Sequence, residues 1–67
     1  MAYTVNALHH EENSYRKFPG HETIEDAHRF VHAENMADWA DEIELEDAEG
    51  KIVDFDLRQP LPPQPGR

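Results

Sequence analysis

The N-terminal residues alternate between hydrophobic and polar side chains in two short segments. Residues 2–8 alternate regularly, and residues 14–18 form a second segment with Tyr15 and Phe18 as its large apolar side chains. Alternation with β-branched and aromatic residues is typical of half-buried strands. We therefore predict two strands joined by a polar hairpin loop, with Tyr15 and Phe18 buried. The Pro19-Gly20 pair predicts the end of the second strand.

The next segment changes to helical spacing. Thr23 is a candidate N-cap, because Asp26 three residues later completes a Thr-x-x-Asp capping pattern. Apolar residues then recur on one stripe, at Ile24, Ala27, Phe30 and Val31. The pattern predicts one amphipathic helix from about Ile24 to about Asn35.

Two further alternating segments predict a second hairpin. Residues 42–46 and residues 51–57 are the strands, and residues 47–50 are the turn, with Gly50 able to adopt a positive φ. Ile43 and Leu45 of the third strand face the core, and Val53, Phe55 and Leu57 share one face of the fourth strand. The alternate positions of both strands are mostly acidic.

These elements predict an α+β fold of order β-β-α-β-β, with one antiparallel sheet and the helix packed on one face. Residues 1–57 form the single domain, and residues 58–67 form an extended, proline-rich C-terminal tail. The tail contains a Pro62-x-x-Pro65-x-Arg67 pattern that matches proline-rich ligands but is common by chance. The predicted core comprises Tyr3, Val5, Phe18, Ile24, Ala27, Phe30, Val31, Trp39, Ile43, Leu45, Val53 and Phe55.

Acidic residues dominate the charge of this 67-residue chain. Fifteen acids and six bases give a net charge of −9, and residues 34–56 carry ten of the acids with Lys51 as their base. Such a field repels nucleic acid and anionic membranes and attracts basic surfaces. The alternative is that the charge serves solubility alone.

The absence of cysteine, of a secretory signal and of a long apolar run indicates a cytoplasmic protein that does not enter a membrane. A chain of this length holds one domain and has little room for a pocket of enzyme size. It also lacks a cysteine nucleophile and a glycine-rich phosphate loop. We therefore predict a binding protein with no catalytic residues, and not an enzyme.

The acidic hairpin is the candidate partner-binding site. Carboxylates two residues apart on one strand face are spaced by about 6.6–6.8 Å, a scale comparable to that of nucleic-acid phosphates. Whether the acids of the fourth strand share this face depends on register. The alternative is a solvated strand face that its charge protects from aggregation. The candidate residues are Glu42, Glu44, Glu46, Asp47, Glu49, Asp54 and Asp56.

Histidines offer a possible metal site. His28 and His32 are four residues apart on the predicted helix, a spacing that can place two ligands on one face. A zinc site would require a further ligand, such as His21 or Glu25. We predict instead that both are surface histidines on the polar flank of the helix, and we predict no metal and no cofactor. A metal-dependent module remains the alternative.

The capped helix at Thr23-Ile24-Glu25-Asp26 and the acidic hairpin from Glu42 to Asp56 resemble features of small, acidic, phage-encoded anti-CRISPR proteins. That resemblance implies an inhibitor that occupies a basic nucleic-acid-binding surface of its target, such as a CRISPR interference complex, without binding nucleic acid itself. The alternative is a structural or assembly module in which the charge serves solubility. Such a module could be a homodimer.

Overall fold

The computed structural model describes residues 2–9 and 11–63 of the chain. In order, the elements are β1 (Tyr3–His9), β2 (Ser14–His21), α1 (Ile24–Ala33), a 3₁₀ turn (Met36–Asp38), β3 (Ala40–Glu46) and β4 (Ile52–Val53). The strands form one antiparallel sheet in the order β2-β1-β3-β4. This arrangement confirms the α+β fold of order β-β-α-β-β.

The second strand is longer than the sequence predicts. β2 continues through the Pro19-Gly20 pair to His21, so the prediction that this pair ends the strand is wrong. Val5 pairs with Phe18 and Tyr3 pairs with His21, which leaves one additional residue on β2. Gly20 takes φ = +93° within this bulge. Because β2 is an edge strand, a proline that lacks an N–H is tolerated there.

The helix begins where its cap predicts. The Thr23 hydroxyl accepts a hydrogen bond from the Asp26 N–H at 3.0 Å, which satisfies one of the free amides of the first turn. α1 ends at Ala33, two residues before the predicted end. Asn35 then takes a left-handed conformation (φ = 50°), which asparagine tolerates, and the chain continues as the 3₁₀ turn.

The second hairpin is confirmed at its turn but is shorter than predicted in its last strand. β3 begins at Ala40, two residues early, and Gly50 has φ = +85° in the predicted turn. The prediction that the fourth strand reaches Leu57 is wrong, because β4 ends at Val53. The Phe55 N–H bonds to the Val53 carbonyl at 2.9 Å, a tight turn that takes the chain out of the sheet.

The core lies between α1 and the sheet face that packs against it. Four of the predicted core residues are fully buried, Val5, Ala27, Val31 and Leu45, and the other predicted members pack around them half-buried. The predicted core omits Ala7, Met36, Ala40 and Leu57, and all four are buried. Tyr15 was predicted to be buried and is 47% exposed, because its β1 partner Leu8 points away from the helix.

Candidate protein-binding face

Among the described residues, no helix packs on the sheet face opposite the core, and we call this the outer face. Strand pairing places Tyr15, Leu8 and Glu42 in one row across β2, β1 and β3, and Lys17, Asn6 and Glu44 in the next row. A third row contains Thr4, Glu46 and Ile52, on β1, β3 and β4. Side chains alternate along a strand, so these residues point away from Val5, Ala7 and Leu45 in the core.

A polar network occupies the centre of the outer face. The Asn6 amide donates to the Glu46 carboxylate at 2.8 Å, and the Lys17 ammonium donates to the Asn6 oxygen at 3.2 Å. The Lys17 ammonium also lies 3.8 Å from the same Glu46 oxygen. Asn6 is 5% exposed, so both of its bonds satisfy groups that burial would otherwise leave unpaired. The Lys17 ammonium therefore interacts with Asn6 and Glu46.

Tyr15 spans the same face from β2 to β3. Its hydroxyl donates a hydrogen bond of 2.9 Å to the Glu42 carboxylate. This bond stabilises the neutral phenol and raises the pKa of Tyr15, with smaller contributions from burial and from the charges of Glu42 and Glu44. The bond places a partly exposed aromatic ring beside the row of acids.

Glu44 lies between these two bonded groups. Within residues 2–9 and 11–63, its carboxylate has no hydrogen bond and no ion pair, although Asn6 is directly opposite. Its neighbours on the same strand face are Glu42 and Glu46, so it stands in a field of like charge. Glu44 is half-buried and is thus the one acid of the row that has no bonded partner within these ranges.

The structure brings together three of the seven residues predicted to bind a partner. Glu42, Glu44 and Glu46 share the outer face, as the two-residue period predicts. Asp47 instead stabilises the turn, since its carboxylate accepts from the Glu49 and Lys51 N–H groups, each at 2.9 Å. Glu49 is exposed on that turn.

Asp54 and Asp56 follow the end of β4, so the strand register does not carry them onto the outer face. Both are exposed. The Asp56 carboxylate accepts from the Arg58 N–H at 3.0 Å and so stabilises a turn. No strand pairing places these two acids in the row on β3, and their role in partner binding stays a prediction.

One end of the outer face is concave. A cavity of about 450 Å³ is lined by Thr4, Lys17 and Glu46, by Pro19 of the β2 bulge, and by the β3–β4 turn. The sequence pattern does not predict this cavity, because the shape of the cavity depends on the β2 bulge and on the order of the strands. The acidic row therefore ends in a recess with both a base and an acid in its wall.

The other bases of the N-terminal half do not neutralise the outer face. Arg16 pairs with Glu12 at 2.8 Å, and this bond lowers the pKa of the Glu12 carboxyl. Arg29 pairs with Asp26 on α1. The negative charge of β3 is therefore offset on its own face by Lys17 alone among these three.

One of the two helical histidines is placed differently from the prediction. His28 was predicted to lie on the surface and is 3% exposed, packed edge-on against Phe55 with ring centroids 5.2 Å apart. The Nε2 atoms of His28 and His32 each lie 2.7 Å from the Gln59 carbonyl oxygen. The beginning of the predicted tail therefore bonds to α1. In the part of the chain that the structure describes, no three His, Asp or Glu side chains are grouped to hold a metal ion.

Comparison with known proteins, by family model, by curated sequence and by solved structure, found no significant match to this chain. Within the described ranges, no helix has the length and the apolar character needed to cross a membrane. The last four residues of the Pro62-x-x-Pro65-x-Arg67 pattern lie outside the described residues. The chemistry of the outer face is therefore the feature of this chain that points to a function.

Proposed function

We propose that this chain is a protein-binding domain that docks its outer face onto a basic, nucleic-acid-binding surface of another protein and so blocks that surface. The observation that carries the proposal is the row Glu42, Glu44 and Glu46 on a sheet face without a helix, with Glu44 unpartnered among the described residues. A lysine or arginine of the partner would supply the ion pair that Glu44 lacks.

The apolar groups on the same face favour a protein partner. Ile52 is 58% exposed and Tyr15 is 47% exposed, and both flank the acids. Aromatic and aliphatic side chains supply contact area at interfaces, while the charges steer the encounter and fix its register. Nucleic acid itself is disfavoured as the partner, because a net charge of −9 repels phosphates.

Capture from a native lysate tests this proposal when it is made with matched charge variants. We expect Glu42→Lys/Glu44→Lys to lose capture of the partner, because it reverses two acids of the face. Glu11→Lys/Glu22→Lys makes the same change of net charge at exposed positions off the sheet, and it should retain capture. Added DNA or RNA should displace the partner from the wild-type chain, and capture should weaken as salt rises.

Two results would reject the proposal. Equal capture by the two double variants would show that the outer face is not the site. Capture that nucleic acid does not displace would show that the partner surface is not one that binds nucleic acid. For a CRISPR interference complex in the cytoplasm, which the resemblance suggests as a target, expression of the chain should restore plaque formation by a targeted phage.

The exposed Ile52 also favours a second candidate, an assembly module that pairs two copies through the outer face. The like charges of Glu42, Glu44 and Glu46 would then approach one another, so a dimer should form more readily as salt screens them. Sedimentation at low and high salt distinguishes the two candidates. A monomer at micromolar concentration under both conditions would argue against the assembly module.

A further inference from the structure

Two imidazole nitrogens point at one position beside α1. The Nε2 atoms of His28 and His32 are each 2.7 Å from the same oxygen, the carbonyl of Gln59. The two rings are one helical turn apart, with centroids separated by 5.1 Å. Histidines four residues apart on a helix are a common pair of metal ligands, and here their nitrogens already converge.

We propose that His28 Nε2, His32 Nε2 and the main-chain oxygen of Gln59 form a binding site for one divalent transition-metal ion of the Zn²⁺, Ni²⁺ or Cu²⁺ class. Imidazole nitrogen suits these ions, whereas Mg²⁺ and Ca²⁺ prefer sites built from oxygen. The site uses two side chains and one carbonyl, which is consistent with the lack of a three-residue side-chain cluster.

The distances require only a small adjustment. Zinc lies about 2.0–2.1 Å from imidazole nitrogen and about 2.0–2.2 Å from oxygen. At bond angles between about 90° and 109°, each nitrogen would then lie about 2.8–3.5 Å from the oxygen, compared with the 2.7 Å of the two hydrogen bonds. Each of these two separations between α1 and the Gln59 oxygen must therefore increase by about 0.1–0.8 Å to admit the ion, with the larger value at the tetrahedral angle.

The contacts with Gln59 also determine which ring nitrogens of His28 and His32 carry protons. A carbonyl oxygen only accepts, so both Nε2 atoms carry a proton when they bond to the Gln59 oxygen. A metal ion requires both lone pairs, so each neutral ring moves its proton to Nδ1, and each doubly protonated ring releases one proton to solvent. Metal binding therefore competes with protons for the Nε2 lone pairs.

The surroundings provide access and support. A cavity of about 540 Å³ is lined by His28 and Gln59 of the proposed site, together with Ile24, Phe55, Leu61 and other residues. The buried His28 ring is held against Phe55. A bound ion would fasten the segment after β4 to α1, independently of the partner proposed for the outer face.

Isothermal titration of the full chain with ZnCl₂ and NiCl₂, in an excess of Mg²⁺ to cover nonspecific acidic sites, tests this proposal. We expect one ion per chain and affinity at least about tenfold weaker in His32→Gln, which loses one nitrogen ligand. Gln59→Ala keeps the main-chain oxygen and should bind as the wild type does. His21→Gln is the control for a histidine outside the site.

A second measurement avoids dependence on variants that fail to fold, since His28 is buried and His28→Gln could unfold the chain. In ¹⁵N spectra of the wild-type chain, Zn²⁺ should shift the Nε2 signals of His28 and His32 and leave those of His21 unchanged. Unchanged spectra with excess Zn²⁺ would overturn the site. Equal metal affinity in the wild type and His32→Gln would also overturn it.

Discussion

Glu44→Gln removes a negative charge that has like-charged neighbours on its own strand face, and we expect it to stabilise the fold. Glu42 and Glu46 lie two residues away on either side, and the cation of the same row, Lys17, lies two strands away and is bonded to Asn6 and Glu46. Glutamine keeps the size and the hydrogen-bonding capacity of the side chain. The substitution therefore tests charge with little change in packing.

The magnitude follows from these separations. Each glutamate neighbour lies about 6.7 Å away, where repulsion in water is about 0.6 kcal/mol before screening. Lys17 lies about 9.6 Å away across two strand spacings and offsets a part of this repulsion. With a Debye length of about 8 Å at physiological salt, the net gain is about 0.4 kcal/mol, and at 0.01 M it is about 0.7 kcal/mol.

Urea unfolding followed by Trp39 fluorescence measures this gain, because Trp39 is half-buried and packs against Phe18 and His9. With a slope of about 1 kcal/mol/M, typical of the smallest domains, the midpoint should rise by about 0.4 M at physiological salt. Glu11→Gln, an exposed loop position, is the matched control and should leave the midpoint almost unchanged.

Either of two outcomes would refute this reasoning. A Glu44→Gln variant less stable than the wild type would mean that the carboxylate makes a favourable interaction within the fold. A gain that does not shrink as salt is raised would mean that repulsion is not its source. In both cases the structure would give no reason to expect that Glu44 binds a cation of a partner.

Three further substitutions or titrations test other parts of the structure. Thr23→Ala should lower the free energy of unfolding by about 1 kcal/mol through loss of the helix cap, and Thr23→Ser should restore most of it, as measured by urea unfolding. Asp47→Ala should cost about 1 kcal/mol, because two turn amides lose their acceptor, whereas Asp47→Asn should cost less; an equal loss in both would argue against the bonds. The phenol absorbance of Tyr15 should titrate above its ordinary pKa, and Glu42→Gln should lower that pKa. Since the folded pKa is raised, the stability from the Tyr15 bond is present below the unfolded pKa and is lost as pH rises through the folded one. An unchanged titration in Glu42→Gln would refute the bond.

Local patterns predicted most of the fold. The Thr23 cap, the Gly50 turn and the order of the elements each depend on residues within one turn or one hairpin of each other, so the sequence determines them directly. The bulge of β2 depends on the position of that strand at the sheet edge. The early end of β4 at Val53 goes with the burial of Leu57 in the core. The alternation of apolar and polar residues along the strand does not predict where the chain leaves the sheet.

The candidate site was predictable only in part for the same reason. The two-residue period places Glu42, Glu44 and Glu46 on one face without knowledge of the partner strands. The bonds of Lys17 and Tyr15 depend on β1 lying between β2 and β3, and alternation does not determine strand order. The burial of His28 depends on Gln59 and Phe55, which lie far from it along the chain.

A sheet covered by one helix must leave its other face to solvent, so that face has to be polar. Polarity alone does not require like charges at three successive outward positions, and a surface built for solubility would intersperse both signs. Here Lys17 is bound to Glu46 and Asn6, and Glu44 stands between two acids at a calculated cost to the fold. If Glu44→Gln gains stability and loses partner capture while Glu11→Gln changes neither, the repulsion within the row is a cost that partner binding relieves. If it gains stability and keeps full capture, the row serves solubility.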